Sequence, residues 1–457
     1  MRKIDIRLIP WLALLYLLNF LDRGSIGNAR LYGMETSIHI TDRQYLIALT
    51  VFFFPYSLFE PATNVALRLM RPSLFLSATI FFWGVVMTLH GVASNYGGLI
   101  GLRFALGLAE AGLYPGIVFY LSCWYKRNEL GKRVAWFFAS ATVAGAFSGL
   151  LAAGIHNMDG IGGKPGWAWI FILEGLATVI VAVLSPFVLQ DFPENAKFLT
   201  ETERVFVVRR LQADMQFSAG GEKFHLKHVW SALQDWKSWI AMAIYAGFDG
   251  PLFAFSLFLP TILNQLGFGS TASNLLSVPV YAVACIVQCL VGFLGDRFNN
   301  RRGYINLVLF GCGLVGYVIL IASRNAALSY FATYLAAIAW VSGNVEGSYK
   351  RSAVLGMAIG FGNLNGAVTS NVYRSQDKPW YSLGHGIVLV YIAIGFLSSL
   401  AYMILLRREN AARDRGDRDE VISSEEDLKR RRNGVFVSVE EARREKGDLW
   451  SGFRYSL

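Results

Sequence analysis

Residues 99–125 read LIGLRFALGLAEAGLYPGIVFYLSCWY, an apolar stretch interrupted by one basic and one acidic residue, Arg103 and Glu110. A helix of about 20 apolar residues crosses the hydrocarbon core of a bilayer, so this stretch predicts a membrane span. The two residues are seven positions apart, nearly two turns, and share one helix face with Gly107 between them. A charge in such a helix costs about 2.5–3.5 kcal/mol on insertion scales. The pair is therefore either an ion pair that locks helices together or part of a binding or proton-coupling site.

The composition of the whole chain predicts a membrane protein with many spans. Of 457 residues, 54% are hydrophobic and 16% are charged, whereas soluble domains have roughly 25% charged residues. The net charge of +10 does not indicate a nucleic-acid partner, because the basic residues lie in short loops and in the tail. The four cysteines lie in apolar segments without the spacing of metal ligands. We expect no metal and no cofactor.

Hydropathy divides the chain into two sets of six predicted spans. The approximate spans are 8–30, 45–67, 75–93, 99–124, 134–155, 167–189, 239–263, 277–294, 305–321, 328–345, 354–372 and 386–406. We predict an all-α membrane protein made of two six-helix bundles. The predicted divisions are an N-terminal bundle at 1–189, a cytoplasmic linker at 190–238, a C-terminal bundle at 239–406 and a cytoplasmic tail at 407–457. In the linker, Thr200 and Glu203 have the spacing of a capping box, which predicts a helix start.

The basic residues of the short loops predict the orientation. One set of alternate loops holds fourteen Lys and Arg residues and the opposite set holds six, which places both termini in the cytoplasm. The tenth span is unusually short, since the 14 strongly apolar residues from Leu328 to Val341 make about 21 Å of helix. The hydrocarbon core is about 30 Å thick.

Two arginines and two acids lie within the first and fourth predicted spans. In the predicted topology Arg23 follows Asp22 in the outer half of the membrane, and Arg103 lies at a similar depth. Glu110 lies about 10 Å further in, near the midplane. Arginine can hold a carboxylate with two parallel hydrogen bonds, and a carboxyl group in the membrane can carry a proton. We therefore predict that the arginines bind an organic anion, and that Glu110 takes a proton and releases Arg103.

Further polar residues extend this predicted site. The predicted cargo-binding residues are Arg23, Arg103, Asn28, Tyr56 and Asn363, and the predicted proton-coupling residues are Glu110, Glu60 and Asp22. Structural interpretations stay open for several of them. Asp22 is equally consistent with helix-end pairing, Glu60 with bonding to N–H groups freed by nearby prolines, and the asparagines with hydrogen bonds between helices. Glu174 is better explained as a structural partner, and Asp249 is too isolated for an assignment.

The loop between the eighth and ninth spans has a sequence typical of a conformational latch. It reads GFLGDRFNNRR over residues 292–302. Cytoplasmic arginines at this position can pair with carboxylates and helix ends of neighbouring spans and so stabilise one arrangement of the bundle. The predicted latch residues are Gly292, Asp296, Arg297, Arg301 and Arg302.

With its six-plus-six spans and this loop, the chain resembles the major facilitator superfamily, whose members have sites near the bilayer midplane. It is most similar to the fungal allantoate permease family of anion:cation symporters, in which nicotinate-permease-like members look nearest. The resemblance covers nearly the whole chain from Lys3 to Arg408. The matching stretches are NFLDRGSIGNAR (19–30), FEPATN (59–64), RFALGLAEAGLYPG (103–116), WYKRNEL (124–130), GWAWIFILEG (166–175), DFPE (191–194), FLPTI (258–262), NVEGSYKR (344–351) and NVYR (371–374).

The resemblance implies an anion carrier that works by alternating access. In the related vesicular glutamate and sialic acid transporters, arginines that match Arg23 and Arg103 are implicated in carboxylate binding, and a glutamate that matches Glu110 in proton coupling. The chain departs from the family pattern in three places. About ten residues are missing between Tyr334 and Trp340, the N-terminal extension is absent, and Asp249 replaces an uncharged polar residue.

The sequence therefore predicts a monomeric, proton-coupled symporter for a small organic anion, such as nicotinate or an allantoate- or vitamin-type carboxylate. The proton gradient is the expected driving force, the lipid bilayer the expected surroundings, and the plasma membrane the expected location. No nucleophile–base pair or metal site indicates an enzyme, and no nucleic-acid partner is expected. The alternatives are a non-transporting membrane sensor and a transporter inactivated by the short tenth span. A drug:proton antiporter fits less well, because paired arginines do not suit a cationic cargo.

Overall fold

The computed structural model describes residues 1–213, 234–297, 302–339, 362, 364–422 and short parts of the tail. These residues form a bundle of helices and one parallel pair of two-residue strands, β1 (Val421–Ile422) and β2 (Val435–Phe436). The helices are α1 (Arg2–Leu31), α2 (Met34–Ser37), α3 (Asp42–Leu69), α4 (Pro72–His90), α5 (Tyr96–Glu110), α6 (Leu113–Ser122), α7 (Arg127–His156), α8 (Gly166–Val188), α9 (Glu201–Ala213), α10 (Trp236–Gln265), α11 (Ser270–Arg297), α12 (Arg302–Ala322), α13 (Ala326–Ala339) and α14 (Ser382–Asp414).

Eight of the described helices are long and apolar enough to cross a membrane, and they confirm the predicted all-α membrane fold. They are α1, α4, α7, α8, α10, α11, α12 and α14. The remaining predicted spans correspond to α3, to α5 with α6, to α13 and to the helical residues 364–369. The short tenth span is α13, which has 14 residues up to Ala339. The predicted continuation to residue 345 lies outside the described residues. The domain boundaries stay predictions.

The fourth predicted span is not one helix but two. α5 ends at Glu110 and α6 begins at Leu113, with a turn at Ala111 and Gly112 between them. Pro115 explains the break, because proline has no N–H to donate to the carbonyl group four residues earlier. The break leaves Glu110 as the last residue of a helix in the interior of the bundle, where it is 1% exposed.

The segment that follows α8 packs against the first half of the chain. The predicted capping box is confirmed, since the Thr200 N–H donates to Glu203 and the Glu203 N–H donates to the Thr200 hydroxyl, at 2.9 and 3.4 Å. α9 then binds the N-terminal region through ion pairs of Glu203 with Lys3, at 2.7 Å, and of Arg210 with Glu129. These contacts attach α9 to the helices that precede it.

The two halves of the bundle, α1–α8 and α10–α14, meet along several helices. α1 packs against α10, and α7 packs against α11. Glycines allow the backbones to touch at both places. A Cβ atom added at Gly27 would lie 2.7 Å from the Leu257 carbonyl oxygen, and one added at Gly149 would lie 2.6 Å from that of Asn274. Small residues serve this purpose between membrane helices in general.

Replacement of Gly149 by alanine is expected to destabilise the contact between the halves. The added methyl group would meet backbone rather than a movable side chain, and such overpacking costs about 1–3 kcal/mol. We expect a lower Tm for Gly149→Ala in thermal unfolding of the detergent-solubilised protein. Gly154→Ala in the same helix is the matched control, because nothing lies within 4 Å of its added Cβ. An equal Tm for the two variants would contradict the prediction.

Candidate functional site

A buried ion pair joins α1 to the end of α5. The Glu110 Oε1 atom accepts hydrogen bonds from Arg23 Nε, at 2.7 Å, and from the Asn19 amide, and Arg23 Nη2 lies 2.7 Å from the same oxygen. The side chains of Arg23 and Glu110 are 11% and 1% exposed. Asn19 and Arg23 are four residues apart on α1 and therefore lie on the same face. The fold thus supplies Glu110 with one cation and one neutral donor from a single helix.

Arg103 has no such partner. It is 3% exposed, and its Nε donates one long hydrogen bond, of 3.3 Å, to the Ala48 carbonyl group. Its guanidinium carbon also lies 5.0 Å from the centre of the Phe52 ring. Within the described part of the chain no carboxylate lies within ion-pair distance of it. A buried charge without a counter-ion is strongly unfavourable.

The predicted contact between Glu110 and Arg103 is therefore not present. The two side chains share a helix face, but the seven-residue spacing separates them by about 10 Å along the axis. Arg23, on a neighbouring helix, reaches Glu110 instead. The group that a proton on Glu110 would release is consequently Arg23.

One aromatic ring contacts both arginines. The centre of the Phe52 ring lies 5.8 Å from the guanidinium carbon of Arg23 and 5.0 Å from that of Arg103. Arg23 also lies 5.2 Å from the ring centre of Tyr56 and 5.5 Å from that of Phe253 on α10. Cation–π contacts of this kind hold a guanidinium group without neutralising it. Arg23 therefore lies where the two halves of the bundle meet.

Acidic side chains on the other side of α1 form no ion pair with a described residue. Asp22 is 1% exposed, and its carboxyl group lies close to the Trp83 indole N–H. Glu174, on α8, accepts a hydrogen bond from the Ser25 hydroxyl. A carboxylate buried in this way tends to neutralise by binding a proton. The interpretation of Glu174 as a structural partner agrees with its hydrogen bond to α1.

The other residues predicted for the site lie at several places in the bundle. Asn28 donates to the Ser148 hydroxyl at 2.8 Å, so it ties α1 to α7. Tyr56 lies beside Arg23, and Glu60 is 2% exposed one turn further along α3. Asn363 lies outside the described residues. The side chains of the predicted latch residues also lie outside the described part of the chain. Where these residues belong to α11 or α12, only their backbone is described.

At the predicted outer side, a polar cluster connects the halves. Asp42 at the start of α3 accepts hydrogen bonds from the Ser375 hydroxyl and backbone N–H, at 2.8 and 3.1 Å, and pairs with Arg30. Nearby, Thr50 bonds Ser370 at 3.1 Å. We call Arg30, Asp42 and Ser375 the outer cluster. The hydrogen bonds that join described residues of the two halves lie at this end of the bundle. The bundle is therefore closed at its predicted outer end.

The outer cluster is expected to be insensitive to ordinary changes of pH. Partial burial raises the pKa of Asp42, but the hydrogen bonds from Ser375 and the charge of Arg30 outweigh burial and lower the pKa below its usual 3.8. A carboxylate with a lowered pKa stays ionised above that value and loses its stabilising contacts only as the pH falls through it. The cluster is therefore intact between about pH 5 and 8.

Asp42→Asn is expected to weaken the closed end. The loss of one charge-assisted contact, about 1.5 kcal/mol, shifts a two-state equilibrium by roughly tenfold. We expect faster labelling of a cysteine placed at Thr50 by a thiol reagent that cannot cross the membrane, in a variant without the native cysteines. Arg43→Ala, an exposed change one residue away, is the control. Equal labelling rates with and without Asp42→Asn would show that the cluster does not hold this end closed.

Sequence reasoning did not identify Asn19, Phe253 or Asp249 as neighbours of the arginines. Asn19 had a signal, because its four-residue spacing from Arg23 places it on the same helix face. Phe253 and Asp249 had none, because they come from the second half of the chain and reach the site only through the packing of α10 against α1.

Comparison with known proteins identifies the family. The model of the Major Facilitator Superfamily matches residues 12–402. An uncharacterized transporter of Schizosaccharomyces pombe is 34% identical over 445 residues, which cover 95% of this chain and 90% of the relative. The high-affinity nicotinic acid transporter of Saccharomyces cerevisiae is 31% identical over 422 residues, 90% of this chain and 78% of that protein.

A solved structure agrees with the fold. It is that of a bacterial homologue of the human lysosomal transporter Spinster, in an inward-facing and occupied conformation. Its TM-score is 0.52 at 16% identity, with 89% of this chain and 84% of that chain covered. The twelve-span predictions from sequence, the helical bundle and these matches agree, and the chain belongs to the Major Facilitator Superfamily as a membrane transporter.

Proposed function

We propose that the protein is a proton-coupled symporter of the allantoate permease type that imports a small organic anion by alternating access. The proposed cargo is a monocarboxylate such as nicotinate, or an allantoate- or vitamin-type carboxylate. The proposed location is the plasma membrane, with both termini in the cytoplasm and the protein acting as a monomer. The observation that carries the proposal is the buried guanidinium group of Arg103, which has no ion-pair partner among the described residues. A carboxylate cargo would supply the counter-ion that this residue lacks.

The ion pair of Arg23 with Glu110 supports the proton coupling. While Glu110 is ionised it holds Arg23 through a hydrogen bond from Nε and an ion-pair contact with Nη2. A proton on Glu110 removes the charge that holds Arg23, which then joins Arg103 on the carboxylate of the cargo. Both guanidinium groups contact the Phe52 ring, which supports a carboxylate site beside this ring. The proton and the anion therefore bind together, because the proton frees Arg23 from Glu110 and the anion then neutralises Arg23 in place of Glu110.

A relative adds support for the class of cargo. The Saccharomyces cerevisiae protein that is 31% identical to this chain is a nicotinic acid transporter. Nicotinate is a small monocarboxylate, which suits a site that contains guanidinium groups. The same geometry would suit other carboxylates, so nicotinate is the first compound to test.

Uptake into proteoliposomes tests the proposal. For one proton per anion, an inward proton gradient should accumulate labelled nicotinate about tenfold for each pH unit, and an uncoupler should abolish accumulation. Allantoate, pantothenate and biotin are measured in parallel, with protein-free liposomes as the control. Uptake that depends neither on the pH gradient nor on the uncoupler would contradict proton symport.

A further inference from the structure

Asn19 is a buried amide of which only one end makes a hydrogen bond. It lies on α1, is 1% exposed, and its side-chain N–H group donates to the Glu110 Oε1 atom. Its carbonyl oxygen, Oδ1, has no hydrogen-bond partner among the described residues, and the same is true of the second Glu110 oxygen, Oε2. Buried polar atoms without a partner are rare in folded proteins. Here two of them belong to two side chains that already contact each other.

The two protonation states of Glu110 need different partners. An ionised carboxylate only accepts hydrogen bonds, and Arg23 and the Asn19 amide are its donors in this structure. A protonated carboxyl group also has an O–H group, which needs an acceptor. A buried O–H group without an acceptor is unfavourable, so a site with donors alone would resist the proton that the coupling requires.

An asparagine can serve both states from one place. Its amide has two N–H donors and one carbonyl acceptor, and half a turn about the last side-chain bond exchanges their positions. The Asn19 side chain can therefore donate to the ionised Glu110 and accept from the protonated one. Arg23 cannot replace it, because a guanidinium group has no acceptor.

The charges around Glu110 come from several helices. The ionisable groups that act on it directly are Asp22 and Arg23 on α1, Tyr56 on α3 and Arg103 on α5. Those one step further away are Glu60, which acts on Tyr56, His90 on Arg103, Glu174 on Asp22 and Asp249 on Arg23. These charges determine how readily Glu110 ionises, and the Asn19 carbonyl group adds an acceptor for its proton.

We propose that Asn19 is a positioning residue for the proton: its amide donates to Glu110 while that residue is ionised, and turns to accept the Glu110 O–H group when it is protonated. This inference rests on the proposed function, because it takes Glu110 as the proton carrier. Glu110 then keeps a hydrogen bond to α1 in both states, whereas Arg23 is held in one of them. The release of Arg23 to the cargo therefore does not separate α1 from the end of α5.

Infrared difference spectroscopy between low and high pH detects both side chains in the purified full-length protein without cargo. The C=O band of protonated Glu110 is the carboxyl band that is lost in Glu110→Gln. We expect this band to move to higher frequency in Asn19→Leu, because the O–H group loses its acceptor. Asn28→Leu, on the same helix, is the matched control, since the Asn28 amide bonds to Ser148, and it should leave the Glu110 band in place.

Isotopic labelling tests the same exchange in the natural protein. When the side-chain amides of asparagine carry heavy carbon, we expect a label-sensitive amide band in the difference spectrum. This band should change over the same pH range as the Glu110 band and be absent in Glu110→Gln. The labelling needs no Asn19 variant, so it decides the question even if Asn19→Leu does not fold.

The outcomes distinguish this inference from the proposed function. A Glu110 band of equal frequency in Asn19→Leu and the natural protein, or a difference spectrum without a label-sensitive amide band, would overturn the role of Asn19. Glu110 would then still stand as the proton carrier. If no carboxyl band is lost in Glu110→Gln over the pH range in which uptake follows the proton gradient, Glu110 does not carry the proton and both proposals fail.

Discussion

Arg103→Ala is expected to abolish anion uptake without destabilising the protein. Removal of one member of a buried charge pair costs about 2–5 kcal/mol of binding, which is at least about a 30-fold loss of affinity for the carboxylate. Arg103 has no ion-pair partner among the described residues of the unloaded structure, and a single 3.3 Å hydrogen bond is its main polar contact. Its removal therefore takes away an unfavourable buried charge, and the Tm should stay constant or rise. Uptake and thermal unfolding are measured on the same preparation.

The combination of the two measurements is decisive for Arg103. Truncation of an arginine with a structural role would destabilise the protein, whereas truncation of an arginine that binds cargo would remove transport. Arg43→Ala, an exposed arginine on α3, is the matched control and should change neither. Normal uptake by Arg103→Ala would show that Arg103 does not bind the cargo.

Glu110→Gln is expected to separate anion exchange from proton-driven accumulation. Glutamine keeps the shape of the side chain but cannot ionise, so Arg23 is permanently free of its acidic partner. We expect no accumulation of anion against its gradient, while exchange of labelled for unlabelled anion across the membrane continues. The variant should also have a lower Tm, since a buried charge left without its partner costs about 3–5 kcal/mol. Its effect on stability is thus opposite in sign to that of Arg103→Ala.

Glu174→Gln is the matched control for Glu110→Gln. Glu174 is also a buried acid of the first half, but its described partner is the Ser25 hydroxyl rather than an arginine. Proton-driven uptake should therefore survive in this variant. If Glu110→Gln accumulates anion normally under a proton gradient, Glu110 is not the coupling group, and loss of accumulation in Glu174→Gln instead would move that role to α8.

Much of the fold could be predicted from the sequence because bilayer thickness fixes the length of an apolar helix. Local signals were also reliable, as the capping box of Thr200 and Glu203 shows. The break of the fourth span was missed although Pro115 marked it, because the hydropathy of residues 99–125 stays high across the break. Hydropathy reports burial in the membrane and not the continuity of backbone hydrogen bonds.

The sequence predicted which residues belong to the candidate site, but not which of them pair with one another. The spacing of Arg103 and Glu110 on one helix indicated a shared face, but the partner of an acid is decided by which cation packs beside it. Arg23 reaches Glu110 because α1 lies against the end of α5, and this distance depends on the tertiary structure. Asp249 looked isolated in sequence for the same reason, since Arg23 is more than 200 positions away from it.

The glycine contacts between the halves are places where one half can turn on the other. At Gly27 and Gly149 a backbone carbonyl group lies where a Cβ atom would be, and both residues lie in the outer half of their predicted spans. A tilt about these contacts would therefore move the inner end of the bundle further than the outer end. The inner ends of the helices are thus the longer arm of the movement.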